Sequence, residues 1–264
     1  GLQRAYENLF SQMTRLYTSF NIPAFFAAYF LYSIPLFLIV ILLHSNLRIK
    51  LLAGIGITPL AICLFFHFSR STWIVLSLSV FIYFLFLNGH KWMGVFIAYL
   101  ILSVIFVLPP FRERLFSTLT LSPSTWGDRV AMWDSAFNIF KEFPFFGVGP
   151  GNYSSYMYKV IPVNLYKEGL RHLHAHDTFL EILAETGLFG LTSFLFIFFT
   201  FFKHMLKRIK KRENYIDIAF FIMAIAVLLG ELTASTIMVG VYNACLFWFL
   251  MGLAVGRRDD TENA

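Results

Sequence analysis

The sequence carries little charge. Only 14% of its 264 residues are charged, whereas 58% are hydrophobic and 19% aromatic; a soluble domain is typically about 25% charged. Several runs of about 17 or more residues contain no charge, which is enough for a helix to cross the hydrocarbon core of a bilayer. These runs lack the polar faces at helical spacing that a soluble all-helical core needs. The composition therefore predicts an integral membrane protein.

Cysteine is scarce, and its placement excludes a disulfide-stapled extracellular fold. Cys63 and Cys245 both lie within apolar runs, so neither is placed to bridge an extracytoplasmic loop. The chain opens at Gly1 with a polar stretch that lacks the charged-then-apolar layout of a signal peptide. We expect residues 1–264 to form a single membrane domain, the C-terminal part of a longer protein.

The apolar runs predict an all-α fold, a polytopic transmembrane helical bundle. The candidate spans are residues 23–43, 51–67, 73–87, 92–108, 187–202, 218–233 and 237–255. Short basic segments at 48–50, 90–91, 203–212 and 257–258 would all face one side, which is the cytoplasm because lysine and arginine are retained there. The run at 203–212 has an alternative interpretation as a nucleic-acid patch, but a topogenic signal is its ordinary role, and we expect no nucleic-acid partner.

This orientation places the segment 109–176 outside, as one large extracytoplasmic loop containing short helices. A connection of that length is usually functional. Residues 129–143 are predicted to form a helix, with Asp128 as N-cap and Pro144 as stop. Its apolar side chains recur every three or four positions and predict a helix lying on the outer membrane interface: Val130, Trp133, Phe137 and Phe140.

A glycine-rich stretch follows at residues 146–153. It superficially resembles a phosphate-cradling loop, but no strand precedes it and Pro150 interrupts a following helix start, so the conditions for a dinucleotide site fail. The glycines instead predict a turn that brings backbone close to another part of the chain.

Three histidines alternate at the end of the loop. On an extended strand, His172, His174 and His176 would share one side and bind zinc if a fourth ligand or water completed the site. The alternative concerns His176 alone, because Thr178 and Glu181 form a potential capping box that starts a helix just after it. The positive end of the helix dipole would keep this imidazole neutral, as a general base requires. A solvated interfacial histidine without a role is the third possibility.

Acidic residues and glycines continue from this histidine into the next apolar run. Asp177, Glu181 and Glu185 recur every four residues and are predicted to share one helix face. There they would orient the histidine, pair with loop arginines, or face water. Gly187 and Gly190 are spaced to allow close helix approach in the span.

Two arginines are candidates for binding phosphate. Arg70 lies at the outer end of a predicted hairpin, and Arg129 begins the predicted loop helix. A guanidinium fork suits bidentate phosphate binding, and a helix N-terminus adds backbone donors. The alternative for each is ordinary snorkelling or contact with lipid headgroups.

Together these residues resemble the O-antigen ligase and polymerase family of bacterial membrane proteins. The resemblance covers essentially the whole chain and rests on the order of its motifs: residues 15–23, Ser69 with Arg70, Arg129 with Trp133, residues 146–152, and His176 with Asp177, Glu185, Gly187 and Gly190. The histidine-to-glycine block is the most specific part. Asp177 departs from the family pattern, which more often has an amide or hydroxyl there.

The resemblance implies a metal-independent, inverting glycosyltransferase of lipopolysaccharide biosynthesis in the cell envelope. It would be a multi-pass protein of the bacterial inner membrane, with its active site on the periplasmic face. The donor would be an undecaprenyl-diphosphate-linked glycan and the acceptor a hydroxyl of a lipid or glycan, in contact with membrane lipids. His176 would be the catalytic base, Arg70 and Arg129 would bind the diphosphate, and no cofactor or metal is expected.

Two kinds of alternative remain open. Within the same reaction class, the chain would be an O-antigen or exopolysaccharide polymerase or a protein O-oligosaccharyltransferase. In a different class, it would be a polysaccharide transporter, which is expected to carry ionisable groups near the bilayer midplane. The nearest case is Glu231, which is predicted to lie toward the outer end of its span.

Overall fold

The structure, a computed structural model, describes residues 23–43, 45–66, 70–86, 123–160, 174–212 and 215–257. Within these ranges the chain forms helices and no strand, which confirms the predicted all-α class. The helices are α1 (Pro23–Leu43), α2 (Leu47–Phe66), α3 (Arg70–Phe86), α4 (Pro123–Glu142), α5 (Tyr153–Val160), α6 (Thr178–Arg212), α7 (Tyr215–Glu231), α8 (Thr236–Val239) and α9 (Val241–Gly256).

The apolar runs correspond closely to these helices. α1 has the predicted bounds, and α2 and α3 begin about one turn earlier than predicted. The predicted span 92–108 lies outside the described residues. The predicted helix 237–255 is wrong, because the extended backbone of Gly240 (φ −93°, ψ 96°) divides it into α8 and α9.

α6 is the longest of these helices, with 35 residues. In the described part of the chain, its residues Thr178–Lys211 are the one helical stretch long and apolar enough to cross a membrane by length and composition. Shorter apolar stretches occur at Tyr29–Leu38, Ser71–Ile82 and Val241–Gly256. Membrane crossing by several helices, and the large external loop, stay predictions.

α7 forms the centre of the molecule. Its side chains from Asp217 to Ala224 are all buried, and it packs against α1, α3, α6 and α9. A helix that is buried on every side requires apolar residues around its whole circumference, and this explains why its sequence lacks a polar face.

α6 and α7 run antiparallel, and polar contacts fix both ends of the pair. At one end the buried Asp217 carboxylate accepts hydrogen bonds from Arg208 (3.2 Å) and Arg257 (3.3 Å). At the other end Thr178 donates to Glu231. The basic residues therefore gather at the end of the helix pair opposite the start of α6.

The loop helix α4 differs from its prediction at its start. It begins at Pro123 rather than at 129, so Asp128 lies inside the helix and is not its N-cap. Proline suits a first helical position because its fixed φ is already helical and because the N–H that it lacks would have no partner within the helix. The helix ends at Glu142, just before Pro144, as predicted.

α4 buries a different face from the predicted apolar stripe. Its buried apolar side chains are Met132, Ala136 and Ile139, which pack against Tyr153 and Met157 of α5. In the predicted stripe, by contrast, Val130 is 46% exposed and Phe137 49% exposed. The helix therefore has two apolar faces, one against the protein and one facing outward.

Candidate active site

The glycine-rich loop docks onto a break in α6 by exchanging backbone hydrogen bonds with it. In a continuous helix, the N–H groups of Leu188 and Phe189 would bond to the carbonyls of Ala184 and Glu185, four residues earlier. Here each of these groups bonds to the loop instead: Leu188 N–H to Pro144 O (2.8 Å), Phe189 N–H to Phe145 O (3.3 Å), Val148 N–H to Ala184 O (3.1 Å) and Gly149 N–H to Glu185 O (2.8 Å). We call residues 144–149 and 184–189 the exchange segments.

One glycine in each exchange segment makes this contact possible. Gly147 and Gly187 both have φ of 64°, which side chains disfavour. A Cβ atom on Gly147 would lie 2.3 Å from the carbonyl carbon of Glu185, and one on Gly187 would lie 2.4 Å from that of Phe145. The predicted turn with close backbone approach is therefore confirmed.

The predicted role of Gly187 and Gly190 in helix–helix packing is wrong. Gly187 breaks α6 and admits the loop rather than a neighbouring helix. A Cβ atom on Gly190 would lie 1.8 Å from Oγ1 of Thr186, one turn earlier in the same helix. Both glycines are required by the break in α6.

Asp177 caps the start of α6. Its Oδ1 accepts hydrogen bonds from the N–H groups of Phe179 (2.9 Å) and Leu180 (3.0 Å), as an N-cap side chain does. The predicted capping box of Thr178 and Glu181 is wrong. The Thr178 hydroxyl donates to Glu231, and the Glu181 carboxylate binds the residues just before His176. Asp177 departs from the family pattern of an amide or hydroxyl residue, but aspartate is equally well suited to capping a helix.

His176 precedes this cap in an uncommon backbone conformation. Its φ is 51°, in the left-handed region that few residues other than glycine adopt. The chain therefore bends sharply between His176 and Asp177, and the half-buried imidazole lies just before the start of α6.

Glu181 holds the residues just before His176. One carboxylate oxygen lies 2.7 Å from Nδ1 of His174, and the other accepts a hydrogen bond from the N–H of Ala175 (3.2 Å). The hydrogen bond between His174 and Glu181 raises the pKa of His174, whereas burial lowers it. Glu181 is thus a buried support for the segment that carries His176.

The electrostatic surroundings of His176 favour the neutral imidazole. Burial lowers its pKa, and the positive charge of Arg129 and then His174 lower it further. The predicted direction agrees, and burial and a neighbouring cation are causes that the sequence did not indicate. Burial also lowers the pKa of Arg129, although a guanidinium remains protonated in proteins.

Arg129 is near His176 without being at a helix start. It lies inside α4, after the helix has begun at Pro123, so the predicted backbone donors of a helix N-terminus are not beside it. This prediction is wrong because α4 extends further toward its N-terminus than its apolar pattern does. Its positive charge nevertheless acts on the candidate base.

Arg70 is the first residue of α3, and its side chain lies outside the described residues. α1 and α2 form a hairpin in which Gly56 faces the ring of Phe37, so the end of α2 lies beside the first half of α1. In that half, Leu31 contacts Gly230 near the end of α7. The chain path thus begins α3 at the end of the bundle where α6 starts.

Glu185 supports the other side of the site. Its carboxylate accepts hydrogen bonds from the N–H groups of Gly151 and Tyr153, the latter at 3.0 Å. It thereby satisfies an otherwise unpaired donor at the start of α5, where negative charge is favourable. Glu181 and Glu185 share a helix face as predicted, whereas Asp177 precedes the helix.

Three hydrogen bonds of the site were not predicted. Glu231 ends α7, as its predicted position required, and accepts hydrogen bonds from Thr178 and from the N–H of Ile237 (3.2 Å). The hydroxyl of Tyr153 donates to the carbonyl of Met132 (2.7 Å) and joins α5 to α4. The only sequence signal was an acidic residue ending an apolar run.

Of the three histidines of the predicted zinc site, the structure describes His174 and His176, and His172 lies outside the described residues. Among the residues that the structure does describe, no three histidine, cysteine, aspartate or glutamate side chains are grouped so as to hold a metal ion. His174 is bonded to Glu181. The three-histidine site stays a prediction.

In the part of the chain that the structure describes, these features define a helical protein whose longest apolar helix starts beside a half-buried histidine on which an arginine acts. Residues 55–195, just over half of the chain, match the family model described as O-antigen ligase. The chain belongs to the O-antigen ligase family, a bacterial membrane-associated family of ligase- and polymerase-type enzymes that use lipid-linked glycans. The matched range includes Arg70, Arg129, both exchange segments and His176. No curated protein matches the chain.

Proposed function

We propose that this protein transfers a glycan from an undecaprenyl-diphosphate carrier to an acceptor hydroxyl, at the extracytoplasmic face of the bacterial inner membrane. The observation that carries the proposal is a half-buried His176 whose pKa is lowered by burial and by the adjacent Arg129. A neutral base with a cation in its surroundings suits a reaction that removes a proton and releases a phosphate.

The reaction proceeds by displacement at the sugar carbon. His176 takes the proton of the acceptor hydroxyl, whose oxygen forms a bond to the anomeric carbon as the bond from that carbon to the diphosphate breaks. Attack opposite the leaving group inverts the anomeric centre. The electron pair leaves with the lipid diphosphate, and Arg129 and Arg70 stabilise its negative charge in place of a divalent metal.

The distribution of charged and aromatic side chains supports this placement. Basic residues gather at the end of α6 and α7 where Asp217 binds Arg208 and Arg257, which is the side expected to be cytoplasmic. His176 lies at the opposite end. There the rings of Phe146 and Phe189 lie with their centroids 5.2 Å apart and are both exposed, as suits a surface in contact with lipid.

A transporter is the candidate of another class, and the surroundings of Glu231 count against it. Transport sites place ionisable groups near the bilayer midplane, whereas Glu231 is at the end of α7 and is bound by Thr178 and Ile237. It therefore supports the start of α6 rather than lining a path through the bundle.

Ligase and polymerase differ only in the acceptor, and the products of a deletion strain separate them. For a ligase, we expect lipid-linked polymer of normal length that lacks its final acceptor on surface-glycan electrophoresis. Single repeat units in the deletion strain would instead indicate a polymerase. Unchanged surface glycans with an unglycosylated protein would indicate a protein O-oligosaccharyltransferase.

The two arginines are expected to affect donor use. Arg129→Ala and Arg70→Ala should each weaken use of the lipid diphosphate by about tenfold or more, since a charge-assisted hydrogen bond contributes about 1.5–3 kcal/mol. The measurement is the initial rate against donor concentration in vesicles. Lys141→Ala, on the exposed end of α4, is the control, and unchanged donor kinetics in both arginine variants would contradict the assignment.

The charge of Arg129 should also set the acid limb of the pH profile. Because its positive charge lowers the pKa of His176, Arg129→Gln removes an unfavourable interaction with imidazolium and raises that pKa. Activity should then fall at a higher pH than in the wild type. Arg129→Lys keeps the charge but loses the guanidinium fork, so its rate should drop without this displacement of the limb.

Chelation tests the metal-free reaction directly. We expect the rate of transfer by purified protein to be unchanged by EDTA, because guanidinium groups take the place of a divalent ion. Loss of activity with EDTA, and recovery with added zinc rather than magnesium, would favour the three-histidine site.

A further inference from the structure

A cavity of about 210 Å³ lies next to the candidate base, and the chemistry proposed above does not use it. Residues that line it come from the glycine-rich loop and α5, from the start of α6, and from α8; they include Gly151, Ser154, His174, Glu181, Glu185 and Met238. His176 is two residues from His174 in sequence and does not itself line the cavity. The cavity is therefore a neighbour of the base, with its own set of polar groups.

The polar groups of this cavity are mostly hydrogen-bond acceptors. Glu181 and Glu185 are both buried, and each carboxylate is held by two donors of the protein. A carboxylate accepts about four hydrogen bonds, so each retains capacity for donors of a ligand. Neither side chain can turn away, because each supports the backbone of another segment.

Two donors and one flexible apolar side chain also line the cavity. Nδ1 of His174 binds Glu181, which leaves Nε2 for a ligand. The hydroxyl of Ser154 has no hydrogen-bond partner among the described residues. Met238 supplies a flexible, polarisable contact at the rim, and such a side chain adapts to irregular ligands.

We propose that this cavity binds one sugar ring of the acceptor and thereby presents an acceptor hydroxyl to His176; the inference rests on the proposed function. Sugar hydroxyls both donate and accept, and their donation to carboxylates gives short, charge-assisted hydrogen bonds. The volume is below the roughly 300–1,000 Å³ of sites for drug-sized ligands, as expected for a single ring.

The charge of the cavity separates the acceptor from the donor. Two buried carboxylates disfavour a diphosphate by like-charge repulsion, so the charged end of the donor belongs with Arg129 rather than in the cavity. Glu181 and Glu185 raise the pKa of His174, and Glu181 also opposes the lowering of the pKa of His176 by Arg129. His176 is thus within electrostatic reach of both Arg129 and a carboxylate that lines the cavity.

Binding is tested with methyl glycosides of a hexose, a heptose and an N-acetylhexosamine, by saturation-transfer NMR on the full chain in nanodiscs. Nanodiscs avoid maltoside detergents, whose headgroups are sugars. At least one glycoside should bind the wild type, and Met238→Trp, which fills the cavity, should weaken it by at least tenfold. Leu232→Trp is the matched control. Leu232 is 46% exposed and Met238 is 38% exposed, both lie between α7 and α9, and Leu232 does not line the cavity.

Ser154→Ala provides a second variant if Met238→Trp fails to fold. It removes one hydroxyl that has no partner in the described part of the protein, and should weaken glycoside binding by about two- to tenfold, as expected for one hydrogen bond. Wild-type affinity in both cavity variants, or no binding of any glycoside to the wild type, would overturn the proposal.

Donor binding distinguishes this proposal from the proposed function. Met238→Trp should transfer glycan to the acceptor at least tenfold more slowly, with unchanged binding of the undecaprenyl-diphosphate glycan. Loss of donor binding in this variant would place the donor in the cavity and overturn the acceptor site. If the wild-type protein binds a glycoside but transfers no glycan, the proposed function is refuted, and the cavity is a sugar-binding site with a different role.

Discussion

His176→Ala is expected to reduce glycan transfer by about 10²–10⁴-fold, the usual contribution of a positioned general base. The fold should survive, because the supporting bonds at this end of α6 are made by Asp177, Glu181 and Thr178 rather than by the imidazole. The measurement is transfer from a lipid-linked glycan in vesicles, alongside the amount of inserted protein. Donor binding should be retained.

His204→Ala is the matched control for this experiment. His204 is an exposed residue of α6 toward its other end, so its replacement should leave transfer and insertion unchanged. Full transfer by the His176→Ala protein would remove the proposed base. Equal losses in the two histidine variants would show that the defect arises from α6 as a whole.

Gly187→Ala is expected to have the largest effect on stability. A left-handed conformation costs a residue other than glycine about 1–3 kcal/mol, and the added Cβ atom would lie 2.4 Å from backbone atoms of Phe145, which cannot move without breaking the exchanged hydrogen bonds. The midpoint of thermal unfolding should fall, and glycan transfer should fall with it. Gly147→Ala should behave similarly, since its Cβ atom would lie 2.3 Å from Glu185.

Gly252→Ala is the control, because Gly252 is an ordinary helical position in α9 with nothing within 4 Å of an added Cβ atom. Alanine there should be neutral or stabilising by about 0.5–1 kcal/mol. The double variant of Gly147 and Gly187 should cost less than the sum of the single changes, since both disrupt the same four bonds. Strict additivity would show that the exchange segments act independently.

The sequence predicted the helices well because their signal is local. Long apolar runs determined α1 with its bounds and placed α2, α3 and α7 within about one turn. It also predicted that a helix starts just after His176 and that Glu231 lies at a helix end. These features depend on residues that are close together in the chain.

The errors arose where distant residues decide between local alternatives. Asp177 and Thr178 are both good capping residues, and the choice is settled by Glu231, which accepts the Thr178 hydroxyl. The loop glycines and Gly187 each indicated a turn or close approach, but their pairing joins segments that are far apart in sequence. On α4, aromatic residues dominated the pattern, while the protein buries the less conspicuous Met132, Ala136 and Ile139.

The proximity of Arg129 to His176 has the same origin. α4 continues directly into the loop that carries the first exchange segment, and α6 carries the second close to the histidine. Tertiary contacts therefore bring the base and the cation together. The sequence identified His176 and Arg129 as separate candidates but could not indicate that they are near each other.

The exchanged bonds also restrict how α6 can move. A helix whose backbone groups are hydrogen-bonded to a neighbouring loop cannot rotate about its axis or slide along it unless those hydrogen bonds break. In a thicker or thinner bilayer, where helices adapt by tilting, α4, α5 and the first turns of α6 must tilt together. Lipid composition would then alter the depth at which substrates meet this unit, and leave the spacing between its imidazole and guanidinium unchanged.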